Sequence, residues 1–337
     1  MPHVFIIAEA GVNHNGSLDL ALQLVDAAKG SGADAVKFQT FRTDLLATHS
    51  AHKAPYQERM VANAAESQFE MLQRLELDAA AHHRLIAHCR EIGIQFLSSP
   101  FDAESADLLA EMGVPLFKVP SGEITNLLFL QHLARKAKPL ILSTGMSTLG
   151  EVEEAVHVLR DAGASELTLL HCVTEYPAPY AEVNLRAMLT LKSAFGLPVG
   201  YSDHTAGIEI AIAAAALGAE VIEKHFTLDR SLPGPDHAAS LEPVELRLMV
   251  DSIRHVEVAL GTGIKSPAPC EMPNMSVARK SVVAARALPA GHRLETGDLG
   301  IKRPGNGLAP KLLPELIGRT LRVSIAKDDI ISWENLI

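Results

Sequence analysis

The sequence predicts a (β/α)₈ barrel followed by a small β-rich domain. One local pattern recurs along the chain: a helical stretch ends at a glycine, and a short apolar run follows it. This is expected of a helix C-cap that leads into a strand buried on both faces. Eight apolar runs fall within about 265 residues, which is the usual length of such a barrel. Alternating strands and helices indicate parallel strands joined by helical crossovers.

The eight predicted strands are residues 4–8, 33–37, 94–97, 114–117, 139–142, 167–170, 197–199 and 219–222. The first helix is predicted over residues 18–29, because Ser17 is a favourable N-cap and the apolar residues after it keep to one face. A doubly wound open sheet also fits the alternation. We favour the barrel because residues suited to chemistry follow nearly every strand and must converge.

One segment is too long for a simple connection. Residues 41–78 exceed the length of ordinary loops, which is typical of a lid over a binding site. The second half of this segment is predicted to be helical.

A change in character near the end marks a second domain. Pro267, Pro269 and Pro273 indicate a linker, and short apolar runs at 281–284 and 320–323 follow it, separated by turns. We therefore predict a barrel domain, a linker and a small domain, with these bounds: residues 1–262, 263–278 and 279–337.

The composition limits the possible partners. The chain has 337 residues, of which 47% are hydrophobic and 21% charged, so it can bury a large core. A net charge of −10 argues against a nucleic-acid partner. No apolar stretch is long enough to cross a bilayer, and the first residues lack the charged region of a signal peptide. Three cysteines without CxxC spacing indicate free thiols, so we expect a cytoplasmic protein.

Several polar residues follow the predicted strands and therefore share one barrel mouth. Lys37 and Lys118 lie in apolar segments, where an unpaired ammonium group is costly. A phosphate dianion requires positive charge, hydroxyl donors and approachable backbone N–H groups, and a bound anion would explain both lysines. The candidate hydroxyl donors, all near glycines, are Ser99, Ser121, Ser143 and Ser202.

Two histidines and two carboxylates complete the predicted mouth. His204 and His225 follow adjacent strands, so they could hold a catalytic divalent metal or form a hydrogen-bonded pair in the core. Glu9 and Glu123 follow strands one and four. They could act as acid and base, or only pair with the lysines.

Seven segments of the barrel region carry a resemblance to a known family: 7–16 (IAEAGVNHNG), 36–40 (VKFQT), 117–123 (FKVPSGE), 142–146 (LSTGM), 200–204 (GYSDH), 223–227 (EKHFT) and 233–236 (PGPD). Together they resemble the N-acetylneuraminate (sialic acid) synthase family, which includes legionaminic acid synthases. Residues 302–307 (KRPGNG) resemble that family's antifreeze-like (SAF) domain. The resemblance covers nearly the whole chain.

The resemblance implies a reaction. C3 of phosphoenolpyruvate attacks the aldehyde of N-acetylmannosamine, water adds at C2, and phosphate leaves by C–O cleavage to give N-acetylneuraminate. It also implies that His204 and His225 hold Mn²⁺, with Mg²⁺ or Co²⁺ as alternatives, and that Glu9 and Glu123 are the catalytic carboxylates. The implied phosphoenolpyruvate site is Lys37, Ser99, Lys118, Ser121, Ser143, Ser202 and Thr174, although some members of the family carry asparagine in place of this threonine. The implied sugar site is Gln39, Tyr176, Asp236 and Arg303.

The resemblance further implies a homodimer, in which Arg303 of one subunit completes the other subunit's site. Residues 53–57 (KAPYQ) and 122–126 (GEITN) resemble legionaminic acid synthases in particular. The acceptor could therefore be 2,4-diacetamido-2,4,6-trideoxymannose, with N,N'-diacetyllegionaminate as product. Two other classes stay open: a Schiff-base aldolase with Lys37 or Lys118 as nucleophile, and an ice-binding module, which the many charges after residue 278 argue against.

Overall fold

The computed structural model describes residues 3–60 and 66–337, which divide into two compact units, Met1–Gly261 and Thr262–Ile337. The strands of the first unit are β1 Phe5–Gly11, β2 Ala35–Thr40, β3 Gln95–Pro100, β4 Phe117–Val119, β5 Leu140–Ser143, β6 Leu167–Cys172, β7 Val199–Asp203 and β8 Val221–His225. They form one parallel sheet in the order β3-β2-β1-β8-β7-β6-β5-β4, and β3 also lies beside β4. The predicted (β/α)₈ barrel is confirmed.

The helices of this unit are α1 Leu18–Gly30, α2 Thr43–Leu46, α3 Pro55–Met60, α4 Gln68–Leu75, α5 Ala79–Ile92, α6 Ala103–Glu111, α7 Leu127–Ala134, α8 Leu149–Asp161, α9 Ala187–Phe195, α10 Glu209–Ala216 and α11 Pro243–Leu260. The side chain of Ser17 caps α1 by accepting the N–H of Leu20, as its sequence position predicts. Gly93 ends α5 with φ +73°, a left-handed conformation that favours glycine. Across residues 3–60 and 66–337, no helix has the length and apolar character needed to cross a membrane.

The barrel interior is built in layers with a period of two residues. A buried apolar layer that includes Ile7, Leu97 and Val221 fills its lower part. Two positions further along the same strands, the inward residues are Glu9, Ser99 and Glu223, which line a cavity. Several strands run further than predicted, because polar residues at inward positions end the apolar pattern without ending the strand. The site residues therefore lie on the strands themselves.

The long segment 41–78 contains three short helices, and α4 accounts for the helix predicted in its second half. Ser67 and Glu70 form a capping box at the start of α4. Residues 61–65 lie outside the described part of the chain. This segment contributes most of a small hydrophobic cluster that is separate from the main core.

The second unit contains α12 Met272–Ala278, the antiparallel strands β9 Ser281–Ala284 and β10 Leu299–Lys302, and α13 Leu313–Leu316. Its own apolar core includes Val282, Leu321 and Ile331. The predicted apolar run at 281–284 is strand β9. The run at 320–323 forms isolated bridges, such as the pairing of Leu321 with Leu336.

Candidate active site

A cavity of about 310 Å³ opens at the carboxyl ends of the barrel strands. This is the face where barrel enzymes carry their active sites. The structure brings together thirteen of the fifteen residues predicted for the site. Those that line the cavity are Glu9, Lys37, Gln39, Ser99, Lys118, Ser121, Ser143, Thr174, Tyr176, Ser202, His204, His225 and Asp236.

A network of buried charges forms one end of the cavity. Lys37 Nζ lies 2.6 Å from a carboxylate oxygen of Glu9 and 3.6 Å from one of Glu223. Lys118 Nζ lies 3.0 Å from the other oxygen of Glu223. Lys37 also donates a hydrogen bond to Ser99, and the Ser202 hydroxyl donates to Glu223. Two ammonium groups, two carboxylates and two hydroxyls therefore meet within one water-poor pocket.

The two carboxylates of this network have opposite protonation tendencies. Burial raises the pKa of Glu9 to about 7, although Lys37 opposes the shift. Burial also acts on Glu223, but Lys118 and Lys37 together hold the pKa of Glu223 well below its usual range. Glu223 is thus ionised at neutral pH, whereas Glu9 can gain or lose a proton there. Such a pair of carboxyl groups is typical of active sites.

The backbone approaches the polar end of the cavity at Gly145. Its N–H donates to the Ser121 hydroxyl at 2.9 Å. A Cβ atom at position 145 would lie 2.4 Å from Thr174 Oγ1 and 2.9 Å from Ser121 Oγ, so only glycine fits there. Thr174 accordingly places a hydroxyl beside Ser121.

Two neutral imidazoles stand beside the charged network. The rings of His204 and His225 are 5.5 Å apart. His204 Nδ1–H donates to the carbonyl oxygen of Val173 at 2.6 Å, so Nε2 is the acceptor of this ring; it lies 3.4 Å from the Ser202 hydroxyl. Burial lowers the pKa of His204 to about 4 and that of His225 well below its usual value. The ring of Tyr176 packs on both imidazoles.

Neutral, buried imidazoles with available nitrogen atoms fit a divalent metal. Within the described residues, no group of three or more His, Cys, Asp or Glu side chains is arranged to hold a metal ion. A metal at His204 and His225 would therefore take its remaining ligands from substrate or water, an arrangement that leaves positions open for chemistry.

Another part of the cavity lining is hydrophobic. We call this surface the apolar wall; its members are Val12, Phe41, Leu46, Met71, Leu72, Leu75 and Phe101. Most of them belong to segment 41–78, which packs over the β1–β3 side of the mouth. The cavity thus has a charged end suited to anions and an apolar side suited to methyl groups.

Comparison with known proteins identifies the family. The NeuB family model matches residues 24–265, which is more than half of the chain, and the SAF domain model matches residues 279–337. The chain belongs to the NeuB family. The resemblance seen in the sequence is therefore confirmed, and the C-terminal unit contains a SAF domain.

Relatives of this NeuB-family chain are sugar-acid synthases. It is 53% identical to the N,N'-diacetyllegionaminic acid synthase of Campylobacter jejuni, over 98% of this chain and 99% of that protein. It is 48% identical to the N,N'-diacetyllegionaminic acid synthase of Legionella pneumophila, over 98% of this chain and 94% of that protein. It is 36% identical to human N-acetylneuraminate-9-phosphate synthase, over 98% of this chain and 92% of that protein. A solved sialic acid synthetase from Leptospira borgpetersenii, in complex with citrate, superposes with TM-score 0.71 at 37% identity over 82% of this chain and 90% of that one. The chain is a carbohydrate synthase of this type.

Two predicted site residues do not line the cavity. Glu123 lies on a 3-10 turn after β4, and its carboxylate accepts a hydrogen bond from Asn126 at 2.7 Å. Partial burial raises the pKa of Glu123. Arg303 belongs to the second unit, where it is exposed and its Nε–H donates to the carbonyl oxygen of Ala278.

Glu223 and Tyr56 are among the cavity residues to which the sequence analysis assigned no role. Glu223 is the residue that joins both lysines, and Tyr56 on α3 packs its ring 4.8 Å from that of Tyr176. The period of two along β8 places Glu223 on the same face as His225, but it does not show that Glu223 pairs with both lysines. Nothing in the sequence placed Tyr56 near the other rings, because segment 41–78 returns to the mouth through tertiary packing.

Proposed function

We propose that this chain condenses phosphoenolpyruvate with 2,4-diacetamido-2,4,6-trideoxymannose and water, giving N,N'-diacetyllegionaminate and phosphate. The observation that carries the proposal is that the apolar wall and the charged network line the same cavity. The two relatives named for this product, at 53% and 48% identity, support the same acceptor. We therefore prefer this acceptor to N-acetylmannosamine, the sugar first expected from the sequence.

The apolar wall favours one acceptor sugar over the other because it would contact the sugar carbons that differ between them. With its aldehyde at the charged end, the sugar directs carbons 4 to 6 away from phosphoenolpyruvate. The trideoxy sugar has an acetamido group at C4 and a methyl group at C6, where N-acetylmannosamine has hydroxyls. A hydroxyl buried against Met71, Leu72 and Leu75 without a partner costs about 1–3 kcal/mol.

The charged end suits phosphoenolpyruvate. Lys37 and Lys118 offer positive charge to its phosphate and carboxylate groups, and the surrounding hydroxyls donate hydrogen bonds. C3 of phosphoenolpyruvate then bonds to the aldehyde carbon, whose oxygen takes up a proton. Water adds at C2, and the C2–O bond breaks, so that the bridging oxygen leaves with phosphate. Glu9, with its pKa near neutrality, is the proposed proton carrier inside the cavity, and Glu123 is a second proposed catalytic carboxylate at its rim.

The proposal includes a metal and a second subunit. His204 and His225 would hold Mn²⁺, replaceable by Mg²⁺ or Co²⁺, and the metal would supply Lewis-acid polarisation of the aldehyde oxygen. The working unit is a homodimer in which Arg303 of one chain binds an N-acetyl carbonyl oxygen of the sugar in the other chain's cavity. A guanidinium group offers a rigid fork of donors that suits such an oxygen.

The Schiff-base alternative has less support. Lys37 contacts both Glu9 and Glu223, and these carboxylates outweigh burial and raise the pKa of the Lys37 ammonium group. Lys118 is likewise paired with Glu223. A lysine nucleophile must be neutral, whereas these pairs favour the charged form.

Acceptor selectivity tests the proposed function. Wild-type enzyme is expected to prefer the trideoxy sugar over N-acetylmannosamine by about 10²-fold in kcat/KM, the range in which an apolar pocket rejects an added hydroxyl. Leu72→Asn should reduce this ratio about tenfold by giving the hydroxyl a partner. Leu45→Asn is the matched control, because Leu45 is 50% exposed and does not line the cavity. Equal or better wild-type kcat/KM with N-acetylmannosamine would contradict the proposal.

A further inference from the structure

The turn at residues 13–16 and the segment at residues 226–240 are joined by buried polar side chains that the chemistry above does not use. Asn13 Nδ2 donates to the carbonyl oxygen of Phe226 at 2.8 Å and to the Ser240 hydroxyl at 3.0 Å. The Ser240 hydroxyl in turn donates to the carbonyl oxygen of Asp236 at 2.7 Å. Asn13 therefore fixes both the start of this segment and the part that carries Asp236.

The hydrogen bonds of Thr227 favour the tautomer of His237 that carries its proton on Nδ1. The Thr227 hydroxyl donates to the carbonyl oxygen of Asp229 at 3.2 Å. The 2.6 Å contact between Thr227 Oγ1 and His237 Nδ1 is then an N–H donated by the histidine. His237 Nε2 is consequently an acceptor.

His14 has the complementary tautomer. The N–H of Gly16 donates to His14 Nδ1 at 3.0 Å, so the ring proton of His14 is on Nε2. Both rings are fully buried, and burial lowers the pKa of each to about 4. His14 and His237 are therefore neutral near pH 7, one offering a donor and the other an acceptor.

His237 and Asn15 both approach the turn that precedes Asp236. A Cβ atom on Gly234 would lie 3.1 Å from His237 Nε2 and 2.9 Å from Asn15 Oδ1, so two buried acceptors face one point. Within the described part of the chain, both acceptors have no protein hydrogen-bond partner.

The segment held in this way carries Asp236 into the cavity. Its carboxylate is buried, and Oδ2 lies 3.8 Å from His225 Nδ1. A Cβ atom on Gly11 would lie 3.2 Å from Glu9 Oε1 and 3.7 Å from Asp236 Oδ2, so both carboxylates border the same glycine. Asp236 thus lies near both Glu9 of the charged network and His225.

We propose that Asn13, His14 and His237 are positioning residues for the acceptor sugar: they hold Asp236 at the cavity and do not touch substrate themselves. The proposal rests on the proposed function, in which Asp236 contacts the sugar. It predicts that disturbing this buried polar cluster changes recognition of the sugar and leaves recognition of phosphoenolpyruvate intact.

The test compares His237→Leu with His237→Asn, whose amide can take the place of Nδ1 and keep the bond to Thr227. His237→Leu is expected to raise KM for the sugar about tenfold, the size of a lost buried hydrogen bond, with KM for phosphoenolpyruvate unchanged. His237→Asn should recover most of the loss. In an Asp236→Asn background, His237→Leu should have no further effect, because it acts through Asp236. His88→Leu, a partly exposed histidine on α5 that pairs with Asp26, is the control.

Three results would overturn the inference: parallel rises in both KM values, no rescue by asparagine, or additive losses in the Asp236→Asn background. If His237→Leu does not fold, Ser240→Ala takes its place, since it removes the hydroxyl that binds Asp236; an unchanged KM for the sugar would then refute the inference. Each variant is compared with wild type using the acceptor sugar that wild type turns over. The identity of that sugar tests the proposed function separately from the role of the buried polar cluster.

Discussion

Replacing His225 with alanine is expected to lower turnover by roughly 10³-fold or more, because loss of a Lewis acid removes several kcal/mol of transition-state stabilisation. The variant should remain folded, since the residue lies at the barrel mouth and not in the apolar core. The measurement is metal content per chain together with kcat, before and after chelation. Chelated wild-type enzyme should lose activity and regain it with Mn²⁺, Co²⁺ or Mg²⁺.

The control for this experiment is His132→Ala. His132 lies on α7, pairs with Asp107 and does not line the cavity. It should keep wild-type metal content and activity. Full activity in metal-free wild-type enzyme would show that His204 and His225 serve another purpose, such as hydrogen bonding to the substrate.

Mixing two inactive variants is expected to restore activity if Arg303 acts across a dimer. Chains with His225→Ala and chains with Arg303→Ala are combined under conditions that allow subunit exchange. In a mixed dimer, one cavity then has an intact His225 and receives an intact Arg303 from the other chain. Random exchange of equal amounts places about a quarter of all cavities in this state, so about a quarter of wild-type activity should return.

The same mixture separates the alternatives. If Arg303 acts on its own chain's cavity, every cavity lacks one residue and the mixture stays as inactive as its parts. Arg322→Ala is the matched control, because Arg322 is exposed in the same unit and should be fully active alone. Recovery of mixed dimers without recovery of activity would contradict action between chains.

The sequence predicted the barrel because its signals are local. Glycine C-caps and apolar runs depend on neighbouring residues, so they identify strands and helices without knowledge of the rest of the fold. The strand ends were less predictable. Lys37 and Ser202 lie inside β2 and β7. These inward-facing polar residues end the apolar run in the sequence before the strand itself ends.

Side-chain direction and tertiary packing limited the prediction of the site. Glu223 and Glu123 both follow apolar runs, yet one joins two buried lysines and the other lies outside the cavity lining. The choice depends on which face of the strand or turn each residue occupies. The apolar wall was also missed, because it forms only when Phe41 and the residues of α4 pack beside Val12 from a distant strand. The sequence had already offered the trideoxy sugar as an alternative acceptor, and the apolar wall adds support for that proposal.

The most direct test of the central claim follows the bridging oxygen of phosphoenolpyruvate. The enzyme is incubated with phosphoenolpyruvate that carries oxygen-18 between C2 and phosphorus, with the trideoxy sugar, with N-acetylmannosamine or with no sugar. The proposed reaction predicts labelled inorganic phosphate, released in equal amount to the new sugar acid and fastest with the trideoxy sugar. Unlabelled phosphate, or phosphate released at the same rate without any sugar, would contradict the account.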